Sequence, residues 1–128
     1  RTGESLSLKY ELEKILEEIG SAQVNIIAKS VGTGVIMYIL PKIKQQVNKI
    51  ILCGVASVND ERIDKAKKAL EGVAPKKVIV FQNISDPLAR YNEVKKFIEK
   101  VNPKIKVVET PRSDHNYPYP EAFAKFLK

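Results

Sequence analysis

Three residues of types that cooperate in acyl transfer occur in the order Ser30, Asp86 and His115. A serine hydroxyl attacks a carbonyl carbon when a neighbouring base takes its proton, and a histidine oriented by a carboxylate is such a base. His115 is the single histidine of the chain. The three residues therefore predict a nucleophile, an orienting carboxylate and a general base, provided that the fold brings them together.

The serine lies in the segment Ala28-Lys29-Ser30-Val31-Gly32, between an apolar run and a helical pattern. A tight turn from a strand into a helix lifts a serine side chain above the edge of a sheet, and small residues at 28 and 32 permit that turn. The backbone N–H of Val31 would then point at a substrate oxyanion. Serine and glycine before a helix are also typical of an ordinary cap, so the segment alone leaves both interpretations open.

Asp86 and His115 each follow a predicted strand, in Asn83-Ile-Ser-Asp-Pro87 and Arg112-Ser-Asp-His-Asn116. Reactive groups of open parallel sheets gather at the carboxyl ends of the strands, so these residues and Ser30 are expected on one edge. Plain turn formation before Pro87 and an ordinary loop histidine are the non-catalytic alternatives.

Two other aspartates compete with Asp86 for the carboxylate role. Asp114 is adjacent to His115, but neighbouring side chains on an extended loop usually diverge. Asp60 follows the second predicted strand and is better explained as a helix cap. Three tyrosines are expected near the site, either lining a pocket or packing the last helix, namely Tyr91, Tyr117 and Tyr119.

The elements that must bring these residues together alternate along the chain. Four runs rich in Val and Ile predict strands at Val24–Ala28, Lys49–Cys53, Lys77–Phe81 and Ile105–Val108. Helical patterns separate them, which predicts a single three-layer α/β domain over residues 1–128, with a parallel sheet of four strands.

Five helical segments are predicted around these strands. The first runs from Ser5 or Ser7 to Ile19, and the second follows Ser30, includes Val47 and has a kink or break at Pro41. The remaining three begin near Asn59 or Asp60, near Arg90 and near Pro120, and the first two of them end at Leu70 and Val101.

The chain order of serine, aspartate and histidine at successive strand ends resembles the α/β-hydrolase family, over almost the whole chain. The resemblance implies that Ser30 is the nucleophile, His115 the general base, Asp86 the residue that orients it, and Val31 the donor of one oxyanion N–H. It implies hydrolysis of a small ester, thioester or amide through an acyl-serine. Where the family commonly has glycine, this chain has Ala28, and where the family commonly has histidine before the serine, it has Lys29. The charge of Lys29 either favours an anionic substrate or faces solvent.

Only the second half of that family's sheet has counterparts here. The earlier strands and the loop that gives the second oxyanion donor are missing, and the run Val24–Ala28 is apolar at positions on both faces, which predicts burial on both. We therefore expect a preceding segment, a second copy in a homodimer or a separate chain to complete the sheet, and the start at Arg1 favours truncation. The alternative function is a catalytically inactive hydrolase-like interaction or structural module.

Composition and charge narrow the classes of function and partner that remain. The net charge is +7, but the lysines lie on the polar faces of predicted helices and beside glutamates, so a solvated surface is expected and nucleic-acid binding is not. The single cysteine, Cys53, cannot form an internal disulfide and reads as a small buried apolar residue, which favours a cytoplasmic protein. No apolar stretch predicts a membrane span, and no ligand spacing predicts a metal or cofactor. The resemblance to α/β-hydrolases implies a small-molecule substrate as the partner.

Overall fold

The computed structural model describes residues 23–43, 45–56 and 58–128. In this part of the chain, strands and helices alternate as β1 (Val24–Lys29), α1 (Val31–Ile43), β2 (Val47–Cys53), α2 (Asp60–Leu70), β3 (Val78–Asn83), α3 (Tyr91–Val101), β4 (Lys106–Thr110) and α4 (Pro120–Leu127). A short 3-10 turn, Pro75–Lys77, precedes β3. The first predicted helix, from Ser5 or Ser7 to Ile19, lies outside the described residues.

The four strands form one parallel sheet in the order β1-β2-β3-β4. Pairing extends across the whole sheet, since Ala28 pairs with Leu52, Leu52 with Val80, and Val80 with Val107. Because sequential strands are spatial neighbours, their carboxyl ends follow one another along a single edge. The predicted three-layer α/β fold with a parallel four-stranded sheet is confirmed.

One face of the sheet packs against α1, α2 and α3. Leu52 and Val80 point to this face, where they are almost fully buried. The buried apolar helix residues are Ile36, Ile39, Leu40 and Ile43 of α1, Ala66, Ala69 and Leu70 of α2, and Val94, Phe97 and Ile98 of α3. Their spacing of three and four residues places one apolar stripe of each helix on the sheet.

The other face packs against α4. Ile51 and Cys53 of β2 and Ile79 and Phe81 of β3 form a second buried cluster with this helix, and the rings of Phe81 and Phe123 lie 5.1 Å apart. The middle strands are thus apolar on both faces, as parallel strands covered by helices require.

The first strand, expected to be buried on both faces once a further segment or chain completes the sheet, has one face exposed in the described part of the chain. Val24 and Ile26 are half-buried, whereas Ile27 on the opposite face is 53% exposed. The physical reason is the position of β1 at the end of the strand order, because the cluster beneath α4 takes its strand residues from β2, β3 and β4.

Two details of the predicted second helix also need correction. The expected break at Pro41 is wrong, because the helix continues to Ile43. The proline lies in the last turn, where it removes one backbone N–H donor without ending the helix, and the alternative of a kink there stays a prediction. Val47, expected on this helix, is instead the first residue of β2, where it is buried. The expected starts near Asn59, Arg90 and Pro120 are confirmed, with Asn59 Oδ1 accepting a hydrogen bond from the Arg62 N–H at 3.0 Å.

None of the helices in the described ranges has the length and apolar character that a membrane crossing requires.

Candidate active site

The turn between β1 and α1 holds Ser30 in a conformation that L-residues rarely adopt. Its φ is +57°, and it is the one residue other than glycine with a positive φ in the described ranges. The Ser30 N–H donates to the carbonyl of Cys53 at 3.0 Å, and its own carbonyl accepts from Thr33 Oγ1 at 2.6 Å. A strained strand-to-helix turn of this kind is typical of an exposed nucleophile.

The neighbours of Ser30 have the properties that such a turn needs. A Cβ added to Gly32 would lie 3.8 Å from that of Ala28, so the two small residues predicted to allow the turn face each other. Lys29 is exposed, in line with the solvent-facing alternative. Val31 begins α1, and the first N–H groups of a helix lack intrahelical acceptors. Its role as an oxyanion donor stays a prediction.

Asp86 and His115 are in direct contact. His115 Nδ1 lies 2.7 Å from Asp86 Oδ2, and the aspartate is 1% exposed. The Leu88 N–H donates to the other carboxylate oxygen at 2.9 Å, and the Asp86 N–H donates to the Asn83 carbonyl, so a turn after β3 fixes the side chain. Two of the three predicted residues are thereby brought together.

Electrostatics keep this carboxyl ionised. Burial alone would raise the pKa of Asp86, but hydrogen bonds from Tyr117, His115 and Leu88 outweigh it and hold the pKa below its ordinary value of 3.8. An ionised carboxylate can only accept hydrogen bonds, so His115 carries its proton on Nδ1 when neutral and leaves Nε2 as an acceptor. This is the tautomer that a general base needs.

The competing carboxylates do not reach the histidine. Asp114 accepts a hydrogen bond from Arg112 Nε at 3.0 Å, and this hydrogen bond, with the arginine charge, lowers the pKa of Asp114 well below its usual range. Asp60 is in the first turn of α2, directly after the capping residue Asn59. The preference for Asp86 agrees with the geometry.

His115 Nε2 is buried and has no hydrogen-bond partner among the described residues. The hydrogen bond that a complete triad would form with the Ser30 hydroxyl is therefore not made in this conformation. Both residues adjoin the end of β2, since Ser30 bonds to Cys53 and the next residue, Gly54, packs on the imidazole. A Cβ added to Gly54 would lie 2.9 Å from His115 Cε1 and 2.9 Å from Tyr117 Cε1.

The hydroxyls of Tyr117 and Tyr119 link the end of β3 to the loop between β4 and α4 that carries His115, called here the histidine loop. The sequence left open whether these tyrosines line a pocket or pack the last helix. Tyr117 donates to Asp86 Oδ2 at 2.7 Å and accepts from the Asn83 N–H at 3.0 Å. Burial and the bond to Asp86 raise the pKa of the Tyr117 hydroxyl. Tyr119 donates to Asn83 Oδ1 at 2.6 Å. Tyr91, in contrast, begins α3 with its ring near the Lys95 ammonium.

Two buried amides that sequence reasoning missed complete this arrangement. Asn83 donates from Nδ2 to the carbonyls of Asp114 and Asn116 at 2.9 and 2.8 Å, so it hydrogen-bonds to the loop on both sides of His115. Gln82 accepts from the Val55 N–H and donates to the Ala89 carbonyl, and it joins the loops after β2 and β3. The one available signal was two polar residues that continue the apolar run of β3.

Cys53 is 2% exposed, and burial raises the pKa of its thiol to about 11, which leaves it unreactive at neutral pH. This agrees with its expected role as a small buried residue. In the described ranges no group of three or more histidine, cysteine or carboxylate side chains has the placement of a metal site. Comparison of the chain with models of known protein families gives no match, and comparison with curated proteins gives none either.

Proposed function

We propose that this protein is a serine hydrolase of the α/β-hydrolase family that cleaves a small ester, thioester or amide. The observation that carries the proposal is the contact of 2.7 Å between His115 Nδ1 and buried Asp86, which leaves Nε2 without a hydrogen-bond partner among the described residues. Such a pair orients a base toward a nucleophile on a neighbouring strand end.

In the first step of this reaction, Ser30 Oγ attacks the carbonyl carbon of the substrate while His115 Nε2 takes the hydroxyl proton. The bond to the leaving alcohol, thiol or amine then breaks, and His115 returns the proton to that group. Water next attacks the acyl-serine, gives its proton to His115 and releases the acid, after which Ser30 regains its proton. The Val31 N–H would stabilise the negative oxygen in both tetrahedral intermediates.

A rotation of the Ser30 side chain toward Nε2 must precede the first step, because Nε2 lacks a partner in the present conformation. Catalytic hydrogen bonds are often long or absent without substrate and form in the Michaelis complex. The same observation favours a second candidate function, a hydrolase-like interaction or structural module without catalysis.

Labelling with a fluorophosphonate probe separates the two candidates. A hydrolase should form a covalent adduct at Ser30, located by mass spectrometry of the digested protein, and the adduct should disappear in Ser30→Ala and in heat-unfolded protein. Ser113→Ala is the matched control, since Ser113 is an exposed serine on the histidine loop. If folded protein with an intact histidine loop acquires no label at Ser30, the hydrolase proposal is wrong and the module remains.

The expected setting of the proposed enzyme is the cytoplasm. A single, buried and free cysteine is what a reducing compartment permits.

The exposed face of β1 supports the further proposal that a preceding segment, a second copy or a separate chain covers it. Mass measurement in solution at several protein concentrations would distinguish a homodimer from a monomer.

A further inference from the structure

A pocket of about 240 Å³ opens beside Ser30, on the face of the sheet that carries α1, α2 and α3. Its walls are mainly apolar and include Met37, Leu52, Val55, Ala66, Phe97 and Ile98. This volume is somewhat below the usual range for pockets that bind drug-sized ligands and suits a short aliphatic chain better than a large ring system. Because Ser30 is itself one of the lining residues, a chain in this pocket would be adjacent to the nucleophile.

Two cations also line this pocket, Arg62 and Lys65, both on α2. No carboxylate is among the described residues that line it, and neither cation has an ion-pair partner within those ranges. Lys65 Nζ lies over the ring of Tyr38, 3.4 Å from its centroid. The pocket is therefore apolar but positively charged, a combination that an uncharged acyl chain does not require.

The two cations lie beside α1 at increasing distances from Ser30. Arg62 approaches Gly34, where a Cβ would lie 3.0 Å from the guanidinium Nη1, and Lys65 approaches Tyr38. Gly34 and Tyr38 are one and two helical turns beyond Ser30, which corresponds to about 6 and about 12 Å along the helix axis. An anionic group bound by these cations would thus lie at the end of a short chain whose other end is at Ser30.

We propose that this pocket binds the acyl chain of the substrate and that Arg62 and Lys65 bind an anionic group at the far end of that chain. The inference rests on the proposed hydrolase function and adds the substrate class, a short acyl group that ends in a carboxylate or a phosphate. Guanidinium and ammonium groups bind both anions through charge-assisted hydrogen bonds, and the apolar surroundings strengthen such bonds.

Matched esters test this substrate class. The p-nitrophenyl ester of hexanoate is compared with the mono-p-nitrophenyl ester of adipate, which has the same number of carbons and ends in a carboxylate, and with a hexanoate ester that ends in a phosphate. We expect kcat/KM to be about tenfold higher for at least one anionic ester, and the better of the two identifies the anion. Equal values for all three esters would overturn the proposal.

Substitutions then assign the preference to the two cations. Arg62→Gln and Lys65→Gln should each reduce the preference for the anionic ester severalfold, measured as the ratio of kcat/KM for the anionic ester to kcat/KM for the neutral ester. Lys68→Gln is the control, because Lys68 is exposed on the same helix and does not line the pocket. A preference that survives the double variant Arg62→Gln, Lys65→Gln would contradict the assignment.

A binding measurement separates this inference from the hydrolase proposal. Ser30→Ala cannot form an acyl-serine, but its pocket should still bind monomethyl adipate or the phosphate-ended methyl ester more tightly than methyl hexanoate, as followed by NMR chemical-shift changes. Binding that depends on Arg62, with no turnover and no probe labelling, would support the pocket while rejecting the hydrolase. Turnover without any anion-dependent binding would reject the pocket assignment alone.

Discussion

Tyr117 donates its hydroxyl proton to the same Asp86 oxygen that His115 Nδ1 contacts, and each contact is 2.7 Å long. The tyrosine also accepts from the Asn83 N–H, so it links the end of β3 to the loop that carries His115. The aspartate therefore holds its position through bonds to two residues of one loop, and it does not depend on the histidine alone.

Replacing Tyr117 by phenylalanine should make the stability of the protein less dependent on pH. The pKa of Asp86 is lowered in the folded state, so its ionised form stabilises the fold above its ordinary pKa of 3.8, and this contribution is lost as the pH falls through the lower folded-state pKa. Tyr117→Phe removes one of the bonds that lower the pKa. At pH 7 the free energy of unfolding should fall by about 2 kcal/mol, and by less at pH 3.

Urea unfolding of both proteins at several pH values measures this difference. Tyr119→Phe is the matched control, because the Tyr119 hydroxyl donates to the neutral amide oxygen of Asn83 and its loss should cost the same at every pH. An equal pH dependence of the two tyrosine variants would show that Tyr117 does not stabilise the charge of Asp86.

Asp86→Asn should impair hydrolysis far more than Asp114→Asn. The asparagine keeps the shape of the side chain but can hold the imidazole in the wrong tautomer, and such a change in a serine triad lowers kcat by roughly 10⁴-fold. Asp114 pairs with Arg112 at the surface, so its replacement should change kcat by less than about twofold. Steady-state rates with a p-nitrophenyl ester, and circular dichroism to verify folding, measure both. Similar losses in the two variants would contradict the assignment of the carboxylate.

Gly54→Ala should displace His115 and reduce activity by at least about tenfold, because a misplaced base costs orders of magnitude. The new methyl group would lie 2.9 Å from both the imidazole and the Tyr117 ring. Gly72→Ala provides the control, since Gly72 also has a positive φ, of 82° against 66° at Gly54, but lies in the exposed loop after α2. Both variants should lose about 1 kcal/mol of stability from backbone strain.

Comparing the hydrolysis rates of Gly54→Ala and Gly72→Ala at equal folded fractions isolates the effect of displacing His115. If the alanine at 54 slows hydrolysis no more than the alanine at 72, close packing of Gly54 on His115 is unimportant for activity.

The fold could be predicted from the sequence because its strands are runs of β-branched residues separated by amphipathic helices. The errors occur at residues whose secondary structure is determined by contacts with distant parts of the chain. Val47 was expected on a helix, yet its burial in the sheet makes it the start of β2. The predicted third strand ended at Phe81, whereas β3 continues through Gln82 and Asn83, whose amides are fully buried because distant loops bond to them.

The site was predictable to a lesser extent. Chain order and strand-end placement predicted that Asp86 and His115 would meet, since the edge of a parallel sheet brings successive loops together. The hydroxyl of Tyr117 and the amide of Asn83 could not be assigned in advance, because their partners are distant in the chain and no local pattern marks them. Whether Ser30 turns toward Nε2 depends on a side-chain rotation that sequence does not encode as a pattern.

Gln82→Met should destabilise the protein by about 3 kcal/mol. The methionine fills similar space but removes the acceptor of the Val55 N–H and the donor to the Ala89 carbonyl, and these buried backbone groups then lack partners. Gln45→Met is the control, because residue 45 is exposed, and it should change stability by less than about 0.5 kcal/mol. Since Val55 follows Gly54, which packs on His115, the loosened loop should also lower kcat at temperatures where the variant remains folded. Thermal unfolding and ester hydrolysis of both variants measure the two effects, and a Gln82 variant as stable as the control would mean that this amide does not hold the loops together.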